Sequence, residues 1–190
     1  MDNAAFAYKE ERNNYEVING EVYMMAKPST KHMMISNNIS TTFSNYLKGK
    51  RCVPFYETDT FFDDENNFVP DVMIVCDPEI IEDDGIHGVP DLVVEILSPS
   101  TARRDKNEKF FAYEKYGVKE YWIVSPEAKS VDVYHNINGK FVLDNVYSIY
   151  PEYVVKWLTD EEKSEIKYEI KVSLYNDFYV KVADIFDRIK

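Results

Sequence analysis

Alternating and helix-spaced apolar positions divide the chain into short strands and a few helices. From Tyr15 to Met25 the apolar residues alternate on either side of Asn19-Gly20, a dipeptide that strongly favours a two-residue hairpin turn. An apolar stripe at helical spacing then predicts a helix over about residues 31–48. Ser29 or Thr30 is suited to cap this helix and Gly49 to end it. The stripe consists of Ile35, Ile39, Phe43, Tyr46 and Leu47.

The rest of the pattern predicts further strands, one more helix and an ambiguous tail. Residues 102–116 have helical spacing and are followed by Gly117, which favours a helix with a glycine end. Residues 64–67 are polar and predict a turn, and residues 77–90 predict a polar loop. After residue 173 the apolar positions fit both a helix and a strand. The predicted strands are 53–57, 60–62, 69–75, 91–97, 120–124, 131–134 and 141–146.

Two of these apolar strands carry an acidic side chain, Asp71 in one and Glu95 in the other. An ionised carboxylate is costly to bury alone, so two of them predict a shared counter-charge, most simply a divalent cation. On adjacent strands about 4.8 Å apart both side chains could bind one Mg²⁺ through oxygens at roughly 2.1 Å, and the carbonyl of Ile96 could add a third oxygen. Asp91 lies four residues before Glu95, roughly 13 Å along the strand, and is therefore expected either to be structural or to support the metal ligands without touching the ion.

Composition and charge narrow the class of protein. The chain has 190 residues, 45% of them apolar, which predicts a single globular domain over residues 1–190. Its net charge of −12 argues against broad non-specific binding to nucleic acid, although cationic residues gather between Arg103 and Lys115. Cys52 and Cys76 stand singly in apolar segments and are expected to be buried reduced thiols. The first residues lack an apolar leader and no apolar run is long enough for a membrane span, so we expect a cytoplasmic protein without membrane association.

Several segments in order resemble the Uma-type family of putative restriction endonucleases, within the PD-(D/E)XK nuclease superfamily. The resemblance covers roughly residues 10 to 135. It implies an α/β restriction-endonuclease-like core with a mixed β-sheet flanked by helices, and Mg²⁺-dependent hydrolysis of DNA phosphodiester bonds. The segments are Tyr15 to Glu21, Pro70 to Val72, Asp91 to Thr101, Asp105 with Lys109, and Tyr116 to Val124.

The resemblance assigns roles to four of these positions. Asp71 matches the aspartate of the PD half and Glu95 the acidic residue of the (D/E)XK half. Leu97 stands where the superfamily pattern has lysine, so the resemblance passes that role to the following helix, where Lys109 is the first candidate and Lys106 the second. His32 lies where the family tends to have histidine and is expected near a phosphate or a metal-bound water. Glu16 and Glu21, which flank the hairpin turn, are equally compatible with a structural role and with an accessory ligand.

Outside the resemblance, residues 148–171 are expected to form an insertion, with a closing strand and short helix over residues 176–186. Tyr153, Val155 and Trp157 alternate as on a strand face and suggest contacts in a homodimer, the assembly that the family implies. The leading hypothesis is an endonuclease that uses Mg²⁺, or Mn²⁺, with DNA as substrate. The alternatives are a catalytically degenerate DNA- or protein-binding module associated with mobile elements, a structural oligomerising domain, and a hydrolase of small phosphoesters.

Overall fold

The computed structural model describes residues 15–189. Within this range no helix combines the length and the apolar character needed to cross a membrane. In chain order the elements are β1 (Tyr15–Ile18), β2 (Glu21–Met24), α1 (Thr30–Leu47), β3 (Val53–Tyr56), β4 (Thr60–Asp63), β5 (Asn66–Phe68), β6 (Val72–Val75), a 3₁₀ turn (Pro78–Ile80), β7 (Ile86–His87), β8 (Leu92–Ile96), α2 (Ala102–Lys106), α3 (Glu108–Tyr116), β9 (Glu120–Ser125), β10 (Ser130–Ile137), β11 (Lys140–Ser148), α4 (Glu152–Val155), α5 (Asp160–Glu165), β12 (Glu169–Lys171), β13 (Tyr179–Lys181) and α6 (Val182–Ile185).

A six-stranded mixed sheet forms the centre of the fold, in the order β11-β10-β9-β8-β6-β3. Strands β8 and β9 are parallel, and α2 and α3 connect them, whereas the other neighbours in this sheet are antiparallel. A five-stranded sheet in the order β2-β1-β5-β4-β7 and the hairpin β12-β13 complete the described strands. The predicted α/β class, a mixed sheet flanked by helices, is confirmed.

Each face of the central sheet is covered by its own apolar cluster, because successive side chains of a strand point to opposite faces. Leu92, Val94 and Ile96 of β8 pack on the face covered by α1, the β12-β13 hairpin and α6. Val93 points to the other face, where Met73 of β6 and Tyr113 of α3 pack. Glu95, two residues after Val93, therefore belongs to the α3 face.

Most predicted elements are confirmed, with small shifts at their ends. Asn19 and Gly20 both have positive φ, 51° and 77°, in the turn that joins β1 to β2. The side chain of Ser29 caps α1 by accepting from the backbone N–H of His32. The closing strand and short helix of the tail are present as β13 and α6.

Several predictions of local structure are wrong. The expected single helix over 102–116 is broken at Asn107, whose side-chain amide donates to the carbonyl of Arg103 at 2.7 Å and so competes with the helical hydrogen bonds. Tyr153, Val155 and Trp157 do not alternate on a strand, because α4 begins directly after Pro151 and a turn follows it. The predicted loop over residues 77–90 contains the 3₁₀ turn and β7.

The cysteines also differ from the prediction, since Cys52 and Cys76 form a disulfide. Cys52 precedes β3 and Cys76 follows β6, and the antiparallel register pairs Val53 with Val75. The two cysteines therefore lie opposite each other. Sequence spacing could not reveal this, because it depends on which strands pair.

Candidate active site

Asp71 and Glu95 lie side by side at one end of the central sheet. Asp71 immediately precedes β6, and the antiparallel register pairs Val72 with Val94, which brings Asp71 next to Glu95 on β8. The Oδ2 atom of Asp71 accepts a hydrogen bond of 2.6 Å from the backbone N–H of Ile96. Both carboxylates line a cleft of about 440 Å³, together with His32, Ile96 and Lys109. The two acids, the histidine, the first-choice lysine and Ile96 therefore line one cleft.

Glu95 is almost completely buried, with 3% of its surface exposed. Its Oε1 atom accepts two hydrogen bonds, one of 2.9 Å from Nζ of Lys109 and one of 2.7 Å from the hydroxyl of Tyr113. Burial raises the pKa of Glu95 well above its ordinary value, although the charge of Lys109 opposes this rise. The Oε2 atom has no hydrogen-bond partner among the described residues, which leaves it open to a ligand in the cleft.

Lys109 reaches the site from α3, and its ammonium lies between two carboxylates. Nζ is 2.9 Å from Oε1 of Glu95 and 2.5 Å from Oε1 of Glu16. Burial alone would lower the pKa of Lys109, but Glu16, Glu95 and Asp105 outweigh it and hold the pKa well above its ordinary value. Lys109 is therefore charged, and one of its three N–H donors is not used by these two partners.

Glu16, one of the two acidic residues that flank the hairpin turn, belongs to this cluster. It is buried on β1, and its Oε1 atom also accepts from the backbone N–H of Val69 at 2.9 Å. Glu21, the other acidic residue of the hairpin, is exposed and accepts a hydrogen bond from the hydroxyl of Tyr23. The alternating pattern of β1 indicates that Glu16 shares a face with Ile18, but it does not reveal that this face covers α3.

His32 stands at the start of α1 and contacts Asp71. Its Nε2 atom donates to Oδ1 of Asp71 over 2.8 Å, which fixes the proton on that nitrogen. Burial lowers the pKa of His32, but the hydrogen bond and the charge of Asp71 outweigh burial and raise it. Nδ1 is buried and has no partner among residues 15–189.

Asp105 is a further buried acid at the cleft, and the sequence indicated it only as a neighbour of Lys109. Burial raises its pKa to about 6, while the charge of Lys109 lowers it.

Two other candidates lie apart from the cluster. Asp91 has the structural role expected for it, accepting from the backbone N–H of Cys76 at 2.7 Å and from Nζ of Lys119 at 2.6 Å. The side chain of Lys106 is exposed.

The donor atoms of the cleft are those that a hard cation prefers. Asp71 and Glu95 offer carboxylate oxygens, each with unused lone pairs, and Ile96 lines the same cleft. The residues therefore fit a Mg²⁺ or Mn²⁺ ion that completes its coordination with water. A group of three possible ligands within 4.8 Å of one another occurs elsewhere, at Glu82, Asp84 and His87, and all three side chains are exposed.

Known proteins with similar sequences and structures support one family. Residues 4–154 match the Uma2 family, described as "Putative restriction endonuclease". An uncharacterized protein of Synechocystis sp. is 33% identical over 142 residues, which are 72% of this chain and 74% of the relative. A second uncharacterized protein of the same organism is 28% identical over 145 residues, 72% of this chain and 81% of the relative.

Among solved structures, a putative nuclease belonging to DUF820 from Anabaena variabilis has a similar fold. The TM-score is 0.70, the sequence identity is 21%, and the alignment covers 93% of this chain and 92% of the other. This likeness extends over the central sheet and the elements around it. The likeness shows the fold, and the match over residues 4–154 shows the family: the chain belongs to the Uma2 family of putative restriction endonucleases.

Proposed function

We propose that this protein is an endonuclease that hydrolyses DNA phosphodiester bonds with the help of a divalent metal ion, Mg²⁺ or Mn²⁺. The observation that carries the proposal is the convergence of Asp71, Glu95 and Lys109 in one cleft, with His32 bonded to Asp71. The family supports a nuclease in general terms. Cleavage of DNA and the choice of metal are our inferences from the chemistry of the cleft.

In this proposal Asp71 and Glu95 hold the metal ion through carboxylate oxygens, and the carbonyl of Ile96 adds a third ligand. The bound ion would supply positive charge to the reacting phosphate and lower the pKa of a water molecule. The hydrogen bonds from Ile96 to Asp71 and from Tyr113 to Glu95 hold the two carboxylates in fixed orientations. Such fixed orientation limits the reorganisation that the reaction requires.

The proposed role of Lys109 is to position the attacking water and to stabilise negative charge on the phosphate. Its ammonium has one N–H left after the contacts with Glu16 and Glu95, and it stays charged at neutral pH. It would thus take the place of the motif lysine, at whose position Leu97 stands. His32 is proposed to orient Asp71 through the hydrogen bond between Nε2 and Oδ1.

Plasmid nicking and metal calorimetry, on the same preparations, test this function. We expect the wild type to bind Mg²⁺ or Mn²⁺ and to nick plasmid DNA, whereas Asp71→Ala and Glu95→Ala lose both, with nicking reduced by at least about 100-fold, the scale of a lost charge-stabilising group. Asp64→Ala is the matched control, because Asp64 is an exposed acid in a turn. Nicking that persists in both site variants would refute the proposal.

A binding module that has lost catalysis is the second candidate. Two observations favour it: Leu97 replaces the motif lysine, and the ammonium of Lys109 is already engaged by the buried Glu16 and Glu95. This candidate predicts that the wild type binds DNA but does not nick it with either metal. The homodimer and the cytoplasmic location expected from the sequence stay predictions.

A further inference from the structure

Arg104 is a cation of the cleft that no acidic side chain neutralises. It lines the same cleft as Asp71 and Glu95, yet no carboxylate of residues 15–189 lies within salt-bridge distance of its guanidinium. Its Nε atom is buried and has no hydrogen-bond partner among the described residues. Lys27, which also lines the cleft, has no salt bridge within the described residues either, but its side chain is exposed. Three other cations nearby are paired: Arg103 with Glu108 at 3.3 Å, Lys31 with Glu127 at 2.7 Å, and Lys109 with Glu16 and Glu95.

The guanidinium is held in place by an aromatic ring. Its Cζ atom lies 4.8 Å from the ring centroid of Tyr23 on β2, the arrangement of a cation–π contact. The hydroxyl of Tyr23 donates to Oε2 of Glu21 at 2.7 Å, which in turn fixes the ring. A side chain ordered in this way loses little conformational freedom when it binds a ligand. Arg104 is therefore an ordered cation with unused donors.

We propose that Arg104 binds a backbone phosphate of the DNA that is cleaved at Asp71 and Glu95, and so positions the substrate. A guanidinium presents a planar fork of donors that matches two phosphate oxygens. Such a group suits the cleft, because Glu16, Asp71, Glu95 and Asp105 also line it and a further cation reduces their repulsion of an anion. The inference rests on the function proposed above and adds a residue that contacts the substrate.

The charges of an adjoining cavity also bear on where a phosphate can bind. That cavity, of about 630 Å³, is lined by Glu82, Asp83 and Asp84, and Arg104 does not line it. Acidic side chains repel phosphates, whereas an unpaired guanidinium attracts them. The phosphate that we assign to Arg104 therefore lies in the cleft and not in the acidic cavity.

Duplex binding by three variants tests the proposal. Binding of a fluorescein-labelled duplex is measured by anisotropy over a series of salt concentrations, with Ca²⁺ present and Mg²⁺ absent. We expect Arg104→Ala to bind about 10-fold more weakly at low salt, as for a lost charge-assisted contact, with the slope of log affinity against log salt smaller in magnitude by about 0.9. Arg104→Lys should keep the slope but lose part of the affinity, because it retains the charge without the fork.

Arg103→Ala is the matched control, because it removes the same charge from the neighbouring, exposed position. It should bind like the wild type. Thermal unfolding of each variant reports whether it is folded, and the Lys variant keeps the test decisive if Arg104→Ala is unstable. The proposal is overturned if Arg104→Ala binds like the wild type, if both Ala variants weaken binding equally, or if the wild type does not bind the duplex.

Parallel plasmid nicking separates this proposal from the proposed function. If the wild type nicks DNA but Arg104→Ala binds normally, the function stands and the role of Arg104 fails. If Arg104→Ala alone loses affinity and salt dependence but the wild type never nicks, the role of Arg104 stands and the hydrolytic function fails.

Discussion

Lys109 places its ammonium within a group of buried acids. Glu16 and Glu95 are each almost completely buried and both contact its ammonium. Removing one partner from a buried ion pair leaves an uncompensated charge, which costs far more than the pair itself contributes. Lys109 therefore has a structural task in addition to the catalytic role proposed for it.

Lys109→Met should lower the free energy of unfolding by about 3 kcal/mol, because it leaves Glu16 and Glu95 without their cation. Urea unfolding without metal measures this loss. Mg²⁺ should restore part of the stability of the variant, since the ion can replace the missing charge beside Glu95. Lys106→Met is the control, because Lys106 is exposed on the preceding helix. Equal stability of Lys109→Met and the wild type would show that the cluster does not need this cation.

The acids that the sequence revealed are those that interrupt apolar strands. Asp71 and Glu95 stand out because strands buried on both faces leave no other place for a carboxylate. The sequence did not indicate that Glu16 is buried at the site, because its hairpin alternates apolar and polar residues as any half-exposed strand does. Asp105 was not recognised as buried, since its position depends on the break at Asn107 and on how α2 packs.

At the scale of elements, hairpins and helix caps were predictable because they depend on neighbouring residues. The Asn19-Gly20 turn and the Ser29 cap are examples. The pairing of β3 with β6, and hence the disulfide, depends on residues far apart in the chain. The sequence around α4 alternates like a strand, but over too short a stretch for its periodicity to distinguish a strand from a helix.

Glu120 of β9 links two elements that the sequence could not connect. Its Oε1 atom accepts from Nε1 of Trp122 at 2.6 Å, and its Oε2 atom accepts from the backbone N–H of Ser173 at 2.7 Å. The contact with Ser173 joins the central sheet to the segment between β12 and β13. The imidazole of His135 also lies close, with Nε2 at 3.9 Å from Oε2.

The stability of this link should depend on pH. Burial raises the pKa of Glu120, although hydrogen bonds from Ser173 and Trp122 oppose the rise. A carboxyl whose pKa is higher in the folded protein than in the unfolded chain stabilises the fold at low pH, and this contribution is lost as the pH rises through the folded-state pKa. The unfolding free energy of the wild type relative to Glu120→Gln should therefore fall as the pH rises from about 4, near the ordinary pKa of glutamate, towards the raised pKa of Glu120.

Urea unfolding of both proteins across this interval measures that difference. Loss of the hydrogen bond to Ser173 lowers the stability of Glu120→Gln by a similar amount at each pH. Only the change of the free-energy difference with pH therefore tests the raised pKa of Glu120. Glu169→Gln, at an exposed position of β12, is the control and should show no comparable trend. A difference between wild type and Glu120→Gln that stays constant or grows with pH would contradict the raised pKa.

At the scale of the whole molecule, the net charge of −12 sets how the protein can bind DNA. Each phosphate neutralised by a protein cation releases counterions, so the salt dependence counts the cations in contact with DNA. Few unpaired cations line the cleft, while acids line the adjoining cavity. We therefore expect contact with a short stretch of backbone and weak binding at physiological salt.

Nicking rates at several ionic strengths, with DNA below saturation, test this expectation. The rate on plasmid should rise as salt is lowered. A plot of log rate against log salt concentration should have the slope expected for about two neutralised phosphates, because the cleft offers few cations to the backbone. The rate on a nitrophenyl ester of thymidine monophosphate should change little, since this small diester carries one phosphate to bind. A steep slope, as for a protein with six or more phosphate contacts, would require a second basic surface, whereas equal salt responses of the two substrates would favour a hydrolase of small phosphoesters.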